Sequence, residues 1–408
     1  MAKIYLDTGN VLNERNEGLQ KDYLSRLSGR NPVNVSLTAA TQCEANFYEE
    51  VKSVAKELQE KGDALIVLGV GGVRAGAKAV VEALKPEKME LFYAGHGFSG
   101  HHLEGILKNL KDRDVAVLMM TKSGNTSETL LACSVVNKWM IKRYGDDAKN
   151  RIVCITGSEG GRLGAFADKL GYRHLIAPDV VGGRYSLFSN VGLLQLAAAG
   201  VDIDQFMAGV REGQEEYSGF TLDNTALRYA IARNILYHQG YCNEMWVCYA
   251  PYMIAFGKWW RLLFAESECV NEAGIYPIIA DNSKELRNLH HLLSQGHIGM
   301  FETTFWIRNV STYEVDKATA DLLGWETGGD FTDVTRKLKE ENKIYTFSKG
   351  VPQMEIQLEN LDAAHLGKLA VFFVQACLLS GYTRNVDPQD QPGGVNKKHD
   401  KKKWKFQA

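Results

Sequence analysis

Two carboxylates stand two residues apart directly after an aromatic and aliphatic run, in the segment WWRLLFAESECV. Residues i and i+2 do not share a helix face, so Glu266 and Glu268 should diverge, one toward solvent and the other inward. An inward carboxylate needs a partner or a chemical task, because burying an unpaired charge is unfavourable. A positioned carboxylate can act as a general base. The alternative is a surface glutamate pair at a helix end.

A loop of small hydroxyl residues, MTKSGNTSET, follows an apolar run and opens a helical pattern. Thr121, Ser123 and Thr126 would supply hydroxyl groups, and Lys122 a positive charge. Free backbone N–H groups and the positive end of the helix dipole converge at such a place and favour an anion. The alternative is that the hydroxyl residues merely cap the helix.

Two glycine-rich turns and a histidine-bearing loop complete the candidate segments. The turn LGVGGVRAG predicts a tight strand-to-helix connection but not a dinucleotide site, because Arg74 stands where the last glycine of that fingerprint belongs. The segment VVGGRYSLFSNVG joins the two halves of the chain and places Arg184 where interdomain clefts form, or in an interdomain ion pair. No supporting cluster accompanies His96, His101 and His102, so we predict no metal site.

Alternating strand and helix patterns must position these segments. The apolar runs DALIVLGVGG, MELFYAGHG, DVAVLMMTKSG, RIVCITGSEGG and RHLIAP alternate with amphipathic stretches, which predicts a doubly wound parallel sheet covered on both faces. We assign residues 45–200 to this first α/β domain and residues 201–385 to a second. Residues 1–44 form an N-terminal arm, and residues 386–408 form a C-terminal segment with a basic tail.

The second domain has a less regular pattern. We predict strands at EMWVCYAPY, GIYPIIAD, MFETTFWI and KIYTFSKG. We predict helices at Met253 to Phe264, Lys284 to Gln295 and Ala363 to Leu379.

Composition excludes several function classes. The 408 residues carry 47 Lys and Arg against 49 Asp and Glu, a net charge of −2, so no global field favours nucleic acid or a membrane surface. Seven scattered cysteines without a C-x-x-C pair suit free thiols in a reducing cytosol. The polar N-terminus does not resemble a signal peptide, and the apolar run near Leu369 to Tyr382 is too short to span a membrane. We expect a cytoplasmic protein.

Together these segments resemble the phosphoglucose isomerase family. LGVGG, TKSGNTSET, VVGGRYSLFSNVGL, FAESECVNEAGIYP, SQGHIGMFET and NVDPQDQPGGVNKK appear in the family's order at compatible spacing. The resemblance implies two sugar-isomerase (SIS) α/β domains and an aldose–ketose isomerase of glycolysis and gluconeogenesis. It implies conversion of glucose 6-phosphate to fructose 6-phosphate through a cis-enediolate, without a cofactor or metal, in a homodimer with a shared active site.

The resemblance also assigns roles to individual residues. Glu266 matches the base that moves the proton between C2 and C1, and Glu268 would point away from the cleft. Arg184 matches the arginine that steadies the enediolate, and Lys398 a lysine implicated in ring opening. The substrate-binding candidates are Gly71, Gly72, Val73, Gln391 and, at the 6-phosphate, Thr121, Lys122, Ser123, Thr126 and Thr129.

Several positions depart from the family pattern. Arg287 stands where the family has a ring-opening histidine donated by the partner subunit, so His290 or His291, one turn further, would take that role or it is absent. Val73 replaces a serine, and Cys269 follows the ESE motif where the family has glycine. The departures leave two alternatives open: another hexose with an anionic C6 group, such as sulfoquinovose (6-deoxy-6-sulfoglucose), and a non-catalytic SIS-type protein that binds sugar phosphates.

Overall fold

The computed structural model describes residues 1–31, 37–38, 45–269, 273–296, 299–324 and 329–388, and only the backbone of residues 45, 46, 290 and 292–295. Its strands are β1 (Ile4–Asp7), β2 (Ala64–Leu68), β3 (Glu90–Ala94), β4 (Val115–Met120), β5 (Ile152–Thr156), β6 (Arg173–Ile176), β7 (Asn243–Cys248), β8 (Tyr276–Asp281), β9 (Met300–Asn309), β10 (Glu314–Val315), β11 (Gly329–Asp330) and β12 (Gln353–Asn360). Its α-helices are α1 (Glu17–Ser25), α2 (Ala45–Lys61), α3 (Gly72–Leu84), α4 (Gly100–Asn109), α5 (Ser127–Tyr144), α6 (Gly161–Leu170), α7 (Asn190–Ala199), α8 (Ile203–Glu216), α9 (Thr225–His238), α10 (Ile254–Glu268), α11 (Leu286–Gln295), α12 (Lys317–Leu323), α13 (Phe331–Ser348) and α14 (Ala363–Thr383).

The first sheet is parallel throughout, with the strand order β3-β2-β4-β5-β6. Each of the five apolar runs forms one of its strands, so these predictions are confirmed. Strands β2, β4 and β5 are buried along their whole length, as expected where helices cover both faces. The strand order reverses between β2 and β4, and in open α/β sheets ligands bind outside the carboxyl ends of the strands at such a switch point.

The second sheet has the order β1-β12-β9-β7-β8 and is parallel except at one edge. That edge is Ile4–Asp7, which pairs antiparallel with β12, so part of the predicted N-terminal arm completes this sheet. The domain limits remain predictions, whereas the α/β class with two parallel sheets is confirmed.

One predicted strand is wrong. The segment KIYTFSKG lies in α13 and the residues that follow it. Asp330 caps α13 by accepting a hydrogen bond from the backbone N–H of Asp333 at 2.7 Å, and the Lys- and Glu-rich run after it consists of helix formers. Ile344 and Phe347 suggested a strand, but both side chains are exposed on the helix. The strands β1, β10, β11 and β12 were not predicted; β12 has the sequence QMEIQLEN, which alternates apolar and polar residues.

The apolar run near Leu369 to Tyr382 lies in α14, a helix of 21 residues, so the predicted helix is confirmed, whereas the expectation that the run is too short to span a membrane is wrong. Among the described residues, α14 alone is long and apolar enough to cross a membrane by length and composition, and 94% of its most apolar window is buried inside the protein. It packs against α8 and α9. Because α14 lies in the protein core, most of its side chains are apolar.

Helices α3 and α10, one from each half of the chain, pack directly against each other. Gly76 lies at their contact, where an added Cβ would stand 2.9 Å from Cβ of Leu187 and 3.1 Å from Nε1 of Trp259. Buried residues of both sheets belong to one continuous hydrophobic cluster. The two halves therefore share a core, and α3 and α10 hold their exposed faces side by side.

Candidate active site

The hydroxyl loop, Thr121 to Thr126, connects the carboxyl end of β4 to the first turn of α5, at the switch in strand order. The Oγ1 atoms of Thr121 and Thr126 are 2.7 Å apart, so the structure brings two of the predicted hydroxyl groups together. The Ser123 hydroxyl accepts a hydrogen bond of 3.3 Å from a backbone N–H two residues later. Gly124 has a φ of 65°, and a Cβ there would lie 1.9 Å from the carbonyl oxygen of Gly160, so this turn requires glycine.

Lys122 and Thr129 support the hydroxyl loop. The Lys122 ammonium donates hydrogen bonds to the backbone carbonyl oxygens of Val181 at 2.8 Å and Asp179 at 2.5 Å, which ties the loop to the segment before GGRYS. Thr129 is fully buried and donates to the carbonyl oxygen of Gly95 at 3.3 Å. These contacts hold the loop between neighbouring segments of the first domain.

The glycine turn after β2 contacts the GGRYS segment. Gly71 has a φ of 63° and occupies the N-cap of α3. A Cβ at Gly72 would lie 2.2 Å from the carbonyl oxygen of Gly183, a distance that no larger residue could keep. Gly72 therefore permits the glycine turn to approach the GGRYS segment closely.

Val73 lies beside the hydroxyl loop. Its side chain is buried and lines a cavity of about 10 Å³ together with Thr121 and Lys122. Its carbonyl oxygen accepts a hydrogen bond of 2.8 Å from Nε2 of Gln195. The expected departure from the family pattern, valine for serine, therefore places an apolar side chain next to the predicted anion site.

Arg184 is buried, with 2% of its surface exposed. Its Nη2 donates a hydrogen bond of 2.6 Å to the carbonyl oxygen of Pro388, and its guanidinium lies 4.8 Å from the ring centroid of Tyr185. Arg184 thus contacts the beginning of the C-terminal segment, residues 386–408. The predicted site residues Gln391 and Lys398 lie on that segment, outside the described residues.

Glu266 lies in the last turn of α10, where its exposed side chain lines a cleft of about 740 Å³. The cleft runs between α3 and α10, and Gly71 lies on its opposite side. The structure therefore brings the predicted base to the glycine turn, although the two are 195 positions apart in the sequence. An accessible carboxylate in such a cleft can reach a bound sugar.

Glu268 points away from the cleft, as expected, but into the protein core rather than toward solvent. Its Oε1 accepts a hydrogen bond of 2.7 Å from Nη1 of Arg233, and both side chains are fully buried. Nε of Arg233 also donates to Glu244 at 2.5 Å, and Glu244 accepts further bonds from Tyr229 at 2.5 Å and Thr303 at 2.6 Å. The inward carboxylate thus has a partner, which sequence reasoning missed; the signal was Arg233, a charged residue inside the apolar stretch AIARNIL of α9.

The candidates for ring opening lie on α11. Arg287 and His291 are exposed, and of His290 only the backbone is described. Within the described ranges, the residues that line the Glu266 cleft include none from α11. Of the candidates whose side chains the structure describes, neither Arg287 nor His291 lines the cleft of the predicted base in one chain.

Four cationic side chains line the Glu266 cleft, and the sequence analysis did not name them as site residues. Arg74 and Lys78 lie on α3, and Lys258 and Arg261 lie on α10. We call these four residues the basic wall. Lys78 forms a salt bridge with Glu82, and burial lowers the pKa of Arg74. The spacings i, i+4 and i, i+3 place each pair on one helix face, but only the fold shows that both faces border one cleft.

The histidine-bearing loop offers no metal site among the described residues, where no group of three or more His, Cys, Asp and Glu side chains could hold an ion. The rings of His96 and His102 pack edge to face with centroids 5.3 Å apart. Burial lowers the pKa of His96, which favours a neutral imidazole.

Comparison with known proteins identifies the family. The family described as "Phosphoglucose isomerase" matches residues 28–266. The glucose-6-phosphate isomerase of Caldanaerobacter subterraneus subsp. tengcongensis is 35% identical over 362 residues, which cover 85% of this chain and 80% of that protein. The chain belongs to the phosphoglucose isomerase family. The glucose-6-phosphate isomerase of Lacticaseibacillus casei, another relative, is 36% identical over 360 residues that cover 85% of this chain and 81% of that protein.

Solved structures agree with this family at the level of the fold. A hypothetical protein from Thermus thermophilus superimposes with a TM-score of 0.84 at 21% identity, covering 98% of this chain and 99% of that one. A glucose-6-phosphate isomerase from Chlamydia trachomatis superimposes with a TM-score of 0.78 at 15% identity, covering 96% and 86%. The resemblance to the phosphoglucose isomerase family is therefore confirmed in both sequence and fold.

Proposed function

We propose that this protein interconverts glucose 6-phosphate and fructose 6-phosphate by moving a proton between C2 and C1 of the opened sugar, through a cis-enediolate. The observation that carries the proposal is the 35% identity to a glucose-6-phosphate isomerase over 85% of the chain. The position of Glu266 in an open cleft beside the glycine turn agrees with it. We place this reaction in the cytoplasm, in glycolysis and gluconeogenesis.

The hydroxyl loop binds the 6-phosphate in this proposal. Thr121, Ser123 and Thr126 offer hydroxyl groups at the N-terminus of α5, where free backbone N–H groups also face an anion. Lys122 holds the loop through its bonds to two carbonyl oxygens, and its charge lies close enough to strengthen the local positive potential.

The proton transfer belongs to Glu266. A hydrogen next to a carbonyl is a weak acid, so its removal requires a positioned carboxylate, and such general base catalysis contributes about 10² to 10⁴ in rate. Arg184 stabilises the enediolate, because a fixed cation aimed at developing charge acts strongly in a buried site. Gln391 binds the sugar, and Lys398 assists ring opening.

Ring opening requires a second chain in this proposal. Arginine stays protonated near neutral pH, so Arg287 can bind the sugar but cannot shuttle a proton, and His290 or His291 takes that role. Because Arg287 and His291 are exposed on α11, we propose that α11 completes the cleft of a partner copy in a homodimer. Analytical ultracentrifugation combined with an activity assay tests this: we expect activity only in the dimer, and a fully active monomer would contradict it.

A parallel assay of three substrates tests the proposed reaction. Purified protein is given glucose 6-phosphate, mannose 6-phosphate and 6-deoxy-6-sulfoglucose, and kcat/KM is compared. We expect glucose 6-phosphate to be preferred. The sulfonate is the second candidate. Val73 is buried beside the hydroxyl loop where the family has serine, so one hydroxyl that could bind the 6-phosphate is missing there. A preference of about a hundredfold for the sulfonate, equal to about 2.7 kcal/mol, would show that 6-deoxy-6-sulfoglucose is the substrate, and the proposed proton-transfer mechanism would still hold.

A further inference from the structure

The basic wall is an unbalanced concentration of positive charge. Within the described part of the chain, Arg74, Lys258 and Arg261 have no carboxylate within 4.0 Å, whereas Lys78 is paired with Glu82. Three cations that border one cleft repel one another, and the cleft walls focus their field. An anion in the cleft would relieve this repulsion, so the charge distribution itself favours an anionic ligand.

Among the residues of the basic wall, Arg74 has a buried N–H group that a bound anion could satisfy. It is half-buried in the first turn of α3, and its buried Nε has no hydrogen-bond partner. A buried N–H group without an acceptor is unfavourable, because it has lost its water without gaining another bond. A planar guanidinium can donate two parallel N–H bonds to two oxygens of one anion, which makes Arg74 suited to a phosphate or a carboxylate.

Helix geometry places the wall relative to the base. Arg261 and Lys258 precede Glu266 by five and eight residues on α10, or about 7.5 and 12 Å along the helix axis at 1.5 Å per residue. Lys258, Leu262 and Glu266 follow each other at intervals of four and therefore lie on one face. If Glu266 faces C1 and C2 of the sugar, the wall borders the cleft next to that end of the sugar, where a negative group attached to C1 would lie.

We propose that Arg74, Lys258 and Arg261 form a second anion subsite for hexose derivatives that carry a negative group at C1 as well as at C6. The inference rests on the proposed function, because that function sets the direction of the sugar in the cleft. A doubly anionic hexose contacts both ends of the site at once, so it binds more tightly than a sugar with one anion. Such a ligand occupies the cleft without reacting when its C1 substituent keeps the ring closed.

Two closed-ring probes test the subsite. Glucose 1,6-bisphosphate and 1,5-anhydroglucitol 6-phosphate share the C6 phosphate and lack a free anomeric hydroxyl, so neither turns over. Calorimetry at low ionic strength should give a dissociation constant about tenfold lower for the bisphosphate, and the preference should shrink as salt screens the wall. In the variant with Arg74→Gln, Lys258→Gln and Arg261→Gln, the preference should fall below about twofold.

A matched control removes three charges elsewhere. Lys138 and Lys142 on α5 and Lys169 on α6 are exposed and do not line the cleft, so their replacement by glutamine should leave the preference unchanged. A double variant with Lys258→Gln and Arg261→Gln keeps the half-buried Arg74 and should lose part of the preference. This variant serves if the triple variant fails to fold.

The possible outcomes separate the subsite from the proposed function. Equal affinity for the two probes overturns the subsite and leaves the isomerase assignment intact. A preference that survives in the triple variant also overturns it, because other residues would then bind the C1 anion. Failure of both probes to bind overturns both proposals.

Discussion

Removing the carboxylate of Glu268 should weaken the fold far more than removing that of Glu266. Glu268 and Arg233 are both fully buried and joined at 2.7 Å. Breaking a buried ion pair by removing one partner costs about 3 to 5 kcal/mol, because a buried charge is left without compensation. Arg233 keeps its bond to Glu244, so we expect Glu268→Ala to lower the free energy of unfolding by about 3 kcal/mol, the lower end of that range.

Glu266→Ala is the matched control, since the two carboxylates belong to the same helical turn. The Glu266 side chain is exposed, so its removal should change the free energy of unfolding by less than about 0.5 kcal/mol. Urea denaturation followed by tryptophan fluorescence measures both variants under identical conditions. Activity should show the opposite order: Glu266→Ala abolishes turnover, whereas folded Glu268→Ala retains it.

Two results would refute this reasoning. A loss below about 1 kcal/mol for Glu268→Ala would mean that the buried pair contributes no more than a typical surface pair. A loss of stability in Glu266→Ala equal to that in Glu268→Ala would mean that the two carboxylates do not have separate roles.

Three further predictions concern the turns and the second domain. Gly72→Ala should reduce kcat/KM and lower the melting temperature, because its Cβ would lie 2.2 Å from the carbonyl oxygen of Gly183; unchanged kinetics would contradict this. Val73→Ser should lower KM for glucose 6-phosphate about fivefold by adding a hydrogen bond, and a higher KM would contradict it. Burial raises the pKa of the Glu302 carboxyl above 4.5, so the neutral form is favoured in the folded protein and the protein loses stability as the pH rises through the raised pKa. Glutamine stays neutral at every pH, so Glu302→Gln should have a higher melting temperature than wild type at pH 8 but not at pH 4.

The first domain could be predicted from the sequence because its strands are short, continuous apolar runs closed by glycine or small polar residues. The second domain was harder to predict. Its strand β12 alternates apolar and polar residues, and its edge strand β1 comes from the far end of the chain, so no local pattern announces either pairing. The segment KIYTFSKG resembles a strand locally, but it continues a helix that begins at an Asp cap more than ten residues earlier.

The candidate site was predictable where its chemistry lies in compact motifs, as in the hydroxyl loop and the glycine turns. The partner of Glu268 and the basic wall were not predictable, because each depends on contacts between distant helices. Arg233 and Glu268 are 35 positions apart, and Arg74 and Arg261 lie in different halves of the chain. Which charged side chains lie close together in the fold depends on tertiary packing, and no local sequence pattern indicates it.

Deuterium incorporation from solvent tests the central claim, that Glu266 moves a proton between C2 and C1. The enzyme is incubated with glucose 6-phosphate in deuterated water, and the recovered sugar phosphates are examined by NMR at C2 of the aldose and C1 of the ketose. We expect the wild-type protein to introduce deuterium at these positions, and Glu266→Gln to introduce none while still binding 1,5-anhydroglucitol 6-phosphate. Incorporation by Glu266→Gln at the wild-type rate would contradict the claim, and so would isomerisation by the wild-type protein without any deuterium.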